Sequence, residues 1–166
     1  ITVDIRPWLE YNHCDYQRNV SMTHDIITDH QGATVPVVPI LKDTYDTWLA
    51  AQNDYLQAIA GHQKLGKKPG RFLVDYKPDG TIAKVYLTVN DDLNPYTLCE
   101  AFKGFPAGTY HIETESTDIK NAVVLAWGFG SYRFDRYLDS ETGPQLLVDE
   151  SEHHDQLTVI EATCLV

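Results

Sequence analysis

The spacing of apolar residues changes repeatedly along this chain and predicts strands and helices in turn. Residues 34–41 are rich in β-branched side chains, which favour a strand. Pro36 and Pro39 lack a backbone N–H and therefore indicate an edge strand or a strand end. Apolar residues at helical spacing follow, and they predict one helix that begins with Asp43 as N-cap and ends at Gly61. Its apolar stripe consists of Tyr45, Trp48, Leu49, Leu56 and Ile59.

Residues 71–89 predict a β-hairpin. Two strand-like runs, Arg71–Tyr76 and Ile82–Val89, flank the sequence Lys77-Pro78-Asp79-Gly80. Proline presets φ for a turn and glycine supplies a positive φ, so this linker has the chemistry of a tight connection. Two strands joined in this way pair antiparallel.

The second half of the chain continues to alternate between helix and strand. Asn94 and Pro95 predict an N-cap and a first helical residue. Since strands and helices alternate apart from the hairpin, we expect an α/β fold, a three-layer α/β/α domain with a mixed sheet. In order, the pattern predicts a helix from Asn94 to Phe102, a strand Thr109–Thr114, a helix capped by Ser116–Asp118, a strand Gln145–Val148 and a helix from Glu152 onward.

The two ends of the chain differ in character from its middle. Residues 1–33 are polar, aromatic and irregular, and we interpret them as a poorly defined N-terminal extension. The last helix reaches Val166 without a glycine, a proline or a cap, which indicates a sequence that stops inside a helix; the alternative is a short helix whose apolar end packs on the sheet. We therefore predict an α/β domain over residues 34–150 and the start of a further helix over residues 151–166.

Composition narrows the class of partner. The chain has 166 residues, of which 43% are hydrophobic and 22% charged, as expected for one globular domain. A formal charge of −11 disfavours binding to nucleic acid or to an anionic membrane surface. Three cysteines without a Cys-x-x-Cys pair support neither a disulfide framework nor a zinc site, and they favour a reducing compartment.

Histidines and cysteines give only weak metal signals. His153 and His154 are adjacent, so on a helix their side chains diverge by about 100° and do not chelate one ion together. We expect both to be solvated residues at the start of a helix. The sequence His13-Cys14-Asp15 contains metal-ligand types but lacks a second pair at a usual spacing.

Carboxylates and lysines form further candidate clusters. Two carboxylate pairs stand out, Asp91-Asp92 and Glu113 with Glu115. A catalytic pair must converge in a cleft, and sequence spacing does not show such convergence for either pair. A small independent enzyme would need one pocket that unites Asp91, His111 and Glu113. The basic cluster could hold an anion, although a solvated loop is the more common role for such residues; it consists of Lys64, Lys67, Lys68 and Arg71.

The glycines at 128 and 130 suggest a dinucleotide motif only superficially. Gly128-Phe129-Gly130 falls late in a predicted helix instead of between a strand and a helix, and a third glycine is missing. Glycine costs a helix about 1 kcal/mol relative to alanine, so we interpret both as positions of close packing. The segment Tyr132–Tyr137 alternates aromatic and charged residues, which favours a structured helix end or an interface.

Three segments resemble the cytosol (leucyl) aminopeptidases, and the resemblance covers residues 34–166. The most specific is Trp127–Tyr137, which is similar to a glycine-containing Tyr-Arg-Phe-Asp-Arg-Tyr segment late in the N-terminal domain of those enzymes. Lys68–Val74, with Asp79-Gly80 after it, resembles their Lys-Pro-Gly and hairpin region. Glu161–Val166 is similar to the helix that leads into their catalytic domain.

The resemblance implies a non-catalytic, macro-domain-like N-terminal domain of a cytoplasmic, hexameric aminopeptidase. The parent enzyme would release N-terminal amino acids from peptides with two divalent metals, zinc or manganese, held by a C-terminal catalytic domain. That domain is outside this sequence, so no residue here is assigned a catalytic, cofactor-binding or metal-binding role. The alternative is a free-standing macro-like module that binds ADP-ribose or another nucleotide.

Overall fold

The computed structural model describes residues 25–131 and 143–164, and within these ranges six strands and four α-helices form. The strands share one sheet in the order β1-β6-β5-β2-β4-β3. All neighbours are parallel except β3 and β4, so the predicted mixed sheet and α/β class are confirmed. The elements are β1 Ile26–Ile27, β2 Val35–Leu41, α1 Tyr45–Ala50, α2 Asp54–His62, β3 Phe72–Tyr76, β4 Ile82–Val89, β5 Gly108–Ile112, α3 Thr117–Ser131, β6 Pro144–Leu147 and α4 Glu150–Cys164.

Helices cover both faces of the sheet. Because successive strand residues point to opposite faces, Val37 and Val85 enter one core while Ile40 and Tyr86 enter the other. The larger core joins the sheet to α3 and α4, and the smaller one joins it to α1 and α2. The predicted three-layer α/β/α arrangement follows from this division.

The interior position of β2 corrects the edge-strand prediction. The carbonyl of Val37 accepts a hydrogen bond of 2.8 Å from Glu113 N–H. The backbone N–H and C=O groups of odd-numbered residues of β2 therefore point towards β5, and those of even-numbered residues point towards β4. Pairing with β5 ends at Val37, before Pro39, and pairing with β4 begins at Val37, after Pro36. Each proline therefore faces a neighbour just outside the paired stretch, where its missing N–H interrupts no ladder.

Two helices replace the single helix predicted after β2. Asp43 is not the N-cap that was expected, because it lies in a 3-10 turn, Lys42–Thr44, that precedes α1. Helix α1 ends at Ala50. The Asn53 side chain then accepts a hydrogen bond of 2.8 Å from Leu56 N–H and so caps the start of α2. An asparagine between two apolar stripes was the signal for this second start.

The hairpin is confirmed, and the helix predicted after it is not. β3 and β4 pair antiparallel as expected. Asn94 does cap the next segment, with its side chain accepting from Tyr96 N–H at 3.0 Å, but only two 3-10 turns form, at Pro95–Thr97 and Phe102–Gly104. Residues 26 and 27, which we placed in the extension, form the outer strand β1, and Ile26 is buried in the larger core.

Candidate functional site

Trp127 lies at the centre of an aromatic cluster between α3 and the sheet. Its side chain is only 1% exposed, and its ring centroid is 4.4 Å from that of Phe102 and 5.6 Å from that of Phe105. Tyr110 of β5 contributes the fourth ring, 5.8 Å away. Large apolar rings packed in this way stabilise a core, so the Trp127 side chain holds α3 against the second 3-10 turn and the sheet.

The two glycines that follow Trp127 permit close packing, as the sequence predicted. A Cβ atom placed on Gly128 would lie 2.6 Å from Cγ1 of Ile160 in α4. One placed on Gly130 would collide with the backbone carbonyl oxygen of Cys99. Both glycines lie within α3, away from any strand–helix junction, so they are packing positions and not a phosphate-binding loop.

Tyr110 has a buried hydroxyl that serves structure. The hydroxyl donates a hydrogen bond of 2.7 Å to the carbonyl of Pro106. Desolvation by burial raises the pKa of Tyr110 to about 12, so the phenol stays neutral at physiological pH. A neutral, buried, hydrogen-bonded phenol holds the loop before β5 against the sheet.

The carboxylates and the histidine considered for an enzyme site do not converge. Asp91 accepts a hydrogen bond of 3.2 Å from Asp43 N–H, beyond the end of β2. His111 pairs with Pro36 near the start of β2, where its Nδ1 is 2.9 Å from the Thr34 hydroxyl. At about 3.3 Å per strand residue, these levels of β2 are separated by more than about 15 Å.

The remaining carboxylates of that set have local structural roles. Glu113 is next to Lys84 of β4, with its Oε2 at 3.1 Å from Nζ. Asp92 accepts a hydrogen bond of 3.1 Å from Asn94 N–H and so shapes the turn after β4. Glu115 is exposed. A shared catalytic pocket for these groups is therefore not formed.

The basic cluster lies on a loop that two hydrogen bonds to Thr88 hold against β4. Thr88 is fully buried, and its hydroxyl accepts from Gly66 N–H at 3.0 Å while its carbonyl accepts from Gly70 N–H at 2.8 Å. Both glycines have positive φ, 80° and 73°, which explains their place in this loop. The basic side chains themselves are all exposed, namely Lys64, Lys67, Lys68 and Arg71.

The paired histidines differ from each other, and the expectation that both are solvated was wrong for His153. His154 is exposed, whereas His153 is only 5% exposed and its Nδ1 has no hydrogen-bond partner. Burial lowers the pKa of His153. The burial of His153 could have been predicted from its spacing to Leu157 and Ile160, because positions i, i+4 and i+7 share one face of a helix.

Two further buried groups were not anticipated from the sequence. Asn121 Oδ1 in α3 and Gln156 Oε1 in α4 are buried without a hydrogen-bond partner. Buried amide groups normally have hydrogen-bond partners, so a sequence gives no reason to expect unpaired ones. Their burial is visible only in the packed structure.

Several other candidates are settled only in part. Among the described residues, no three His, Cys, Asp or Glu side chains come together as a metal site, and no helix is long and apolar enough to cross a membrane. Cys99 has a free thiol whose Sγ is 3.4 Å from the carbonyl of Pro95, and burial raises its pKa. His13-Cys14-Asp15, Tyr132–Tyr137 and the last two residues lie outside the described residues.

Comparison with known proteins gives one family. The model of the M17 aminopeptidase N-terminal domain matches residues 35–148, which is more than half of the chain. No curated protein sequence matches significantly.

Solved structures agree on the fold. The chain is similar to the cytosol aminopeptidase of Coxiella burnetii, with a TM-score of 0.68 and 20% identity over 82% of this chain and 31% of that one. The bottromycin maturation enzyme BotP gives a TM-score of 0.52 with 18% identity over 80% of this chain and 32% of BotP, and its complex with Mn gives 0.50 with 21% identity over 81% and 31%. At these identities the likeness shows a shared fold, and the chain spans about a third of the length of each relative.

Proposed function

This chain belongs to the M17 aminopeptidase N-terminal domain family, and we propose that it is the non-catalytic domain of a leucyl-type metallo-aminopeptidase. The observation that carries the proposal is the family match over residues 35–148. In the proposed parent, a C-terminal catalytic domain follows α4 and releases N-terminal amino acids from peptides.

The packing of the described residues supports a structural role for this domain. The residues that looked most like chemistry each have a structural partner: Asp91 binds a backbone N–H, Glu113 pairs with Lys84, and Gly130 fits against Cys99. Side chains committed to such contacts are poorly placed to bind a substrate as well.

The two divalent metals of the proposed parent, zinc or manganese, do not fit the described residues, because no suitable ligand group forms there. The proposal therefore places metals and peptide in the catalytic domain and assigns no step of the reaction to this chain. The bottromycin enzyme, a structural relative, is known in a complex with Mn.

Hydrolysis of leucine p-nitroanilide with and without manganese tests the proposal. We expect no turnover by the 166-residue chain and manganese-dependent turnover by the polypeptide encoded by the whole reading frame. A mock purification from cells that lack the plasmid controls for host aminopeptidases. Turnover by the isolated chain above that control, or none by the whole polypeptide, would overturn the proposal.

We also propose that the whole enzyme is a cytoplasmic homo-hexamer without nucleic-acid or membrane partners. The acidic charge of −11 supports the absence of nucleic-acid binding by this domain. Light scattering of the whole polypeptide gives its mass directly, and a monomeric or dimeric mass contradicts this assembly.

A further inference from the structure

The two helices α3 and α4 pack side by side and run in the same direction. Lys120 of α3 lies opposite Glu152 of α4, with Nζ and Oε2 3.8 Å apart. About two helical turns further along α3, Gly128 lies against Ile160 of α4. Both contacts join residues 32 positions apart in the sequence, so the register is constant along the contact. We call this contact the α3–α4 seam.

The two ends of the seam are fastened very differently. At the C-terminal end, Ile160 is fully buried and fills the space that Gly128 leaves open. At the N-terminal end, the buried polar atoms Asn121 Oδ1, His153 Nδ1 and Gln156 Oε1 have no hydrogen-bond partner. A buried polar atom without a partner has lost its hydrogen bonds to water and gained none in return, so the N-terminal end of the seam is the weaker one.

The backbone of α4 also changes at this end. His153 has φ −121° and ψ 19°, outside the helical range, so α4 consists of two helical pieces that meet at a kink. The first piece is held by Asp149, whose carboxylate accepts from both the N–H and the hydroxyl of Ser151, at 2.8 and 2.6 Å. A kink beside a buried imidazole gives α4 a place to bend.

We propose that residues 150–157 form a pH-sensitive contact with α3, which opens when His153 takes up a proton from solvent. The imidazolium would hold an unpaired Nδ1–H in a buried position, which is far more costly than a neutral ring there. Opening exposes the ring to water, while the contact between Gly128 and Ile160 keeps the rest of α4 in place. The contact therefore loosens at one end only.

Two carboxylates and one lysine act on the charge of His153. On α4 and just before it, Glu152 and Asp149 favour the imidazolium, and on α3 Lys120 opposes it. Burial is the largest influence and lowers the pKa of His153 from its ordinary 6.5. The hydrogen bonds from Ser151 lower the pKa of Asp149, so that carboxylate remains charged as the histidine titrates.

The sign of the effect follows from the proton balance. The closed form binds the proton less readily than the open form, so the contact is intact above pH 6.5 and weakens as the pH falls from 6.5 towards the lowered pKa of His153. One proton changes the equilibrium by at most about tenfold per pH unit.

Amide hydrogen exchange of the 166-residue chain, corrected for the intrinsic effect of pH on exchange, tests the proposal. Between about pH 7.5 and about pH 5, protection of residues 150–157 should fall, by up to about tenfold per pH unit below 6.5, while residues 158–164 keep theirs. Equal protection at both pH values, or greater protection in acid, would overturn the proposal.

Matched variants assign the effect to one side chain. His153→Phe keeps a ring and cannot take up a proton, so protection of residues 150–157 should no longer depend on pH. His154→Phe changes only the exposed neighbour and should retain the full response. A pH response that survives in His153→Phe or disappears in His154→Phe contradicts the assignment.

A measurement on the wild-type chain decides the matter if His153→Phe does not fold. The Cε1 proton resonance of His153 gives its titration midpoint by NMR. Exchange protection of residues 150–157 should change with that midpoint and not with the midpoint of His154. Protection that follows His154, or neither ring, would refute the proposal.

Discussion

Replacement of Gly130 by alanine tests the most constrained contact in this domain. In most helices this change stabilises the protein by up to about 1 kcal/mol, because alanine is the better helix former. Here the new methyl group would collide with the carbonyl oxygen of Cys99 and lie 3.1 Å from its carbonyl carbon. Both atoms belong to backbone, which cannot rotate away as a flexible side chain can.

The expected magnitude is the difference between two effects. Overpacking costs about 1–3 kcal/mol, and a rigid backbone obstacle puts this position near the upper value. Subtracting about 1 kcal/mol of helix preference leaves a loss of about 2 kcal/mol. For a domain of this size, that loss lowers the melting temperature by about 4–8 °C.

Gly61→Ala is the matched control. Gly61 also lies in a helix, α2, but a Cβ atom placed there meets nothing within 4 Å. We therefore expect Gly61→Ala to be neutral or to stabilise by up to about 1 kcal/mol.

Urea unfolding measures both variants by tryptophan fluorescence, since Trp127 is buried in the folded chain. The midpoint should fall for Gly130→Ala and not for Gly61→Ala, with an unchanged dependence on urea concentration. If Gly130→Ala is as stable as the wild type while Gly61→Ala behaves as expected, the close approach between α3 and the loop at Cys99 is refuted.

Three further substitutions test other contacts. Gly128→Ala should destabilise the chain by about 1–2 kcal/mol, and adding Ile160→Val, which removes the nearest methyl group, should recover part of that loss in a double-mutant cycle; additive losses would contradict the contact. Tyr110→Phe should cost about 1 kcal/mol at neutral pH, and it should reduce the loss of stability that the wild type shows as pH rises from 10.0 towards about 12, measured by urea unfolding across that range. Part of that loss should remain, because burial also raises the pKa of Tyr45 and of Tyr86. Asn53→Ala should cost about 1 kcal/mol by removing the cap on Leu56 N–H, whereas Asn53→Asp, which can still accept, should cost much less; equal losses by thermal unfolding would refute the capping role.

The family assignment and the packing role of the glycines followed from the residues themselves. The resemblance of three segments indicated the aminopeptidase N-terminal domain, and the family match over residues 35–148 confirmed it. Helical glycines are costly, so their presence in an otherwise apolar helix predicted a close neighbour. What the sequence left open was the identity of that neighbour, namely Ile160 for Gly128 and the Cys99 backbone for Gly130. The proposed domain boundaries and the role of residues 1–33 stay predictions.

Local hydrogen bonding explains which elements the sequence by itself determined. The hairpin turn and the caps at Asn94 and Ser116 depend on residues within about four positions of each other, and all were predicted from their neighbours. The edge-strand prediction from the prolines of β2 was wrong because a missing N–H interrupts a sheet only where that N–H would point at a paired strand. The expectation that His153 is solvated was wrong because a histidine is usually exposed, whereas the burial of this one depends on α3 packing beside α4. Strand order and side-chain burial arise from contacts between distant segments, whose free energies are decided together when the chain folds, and so only the tertiary structure settled them.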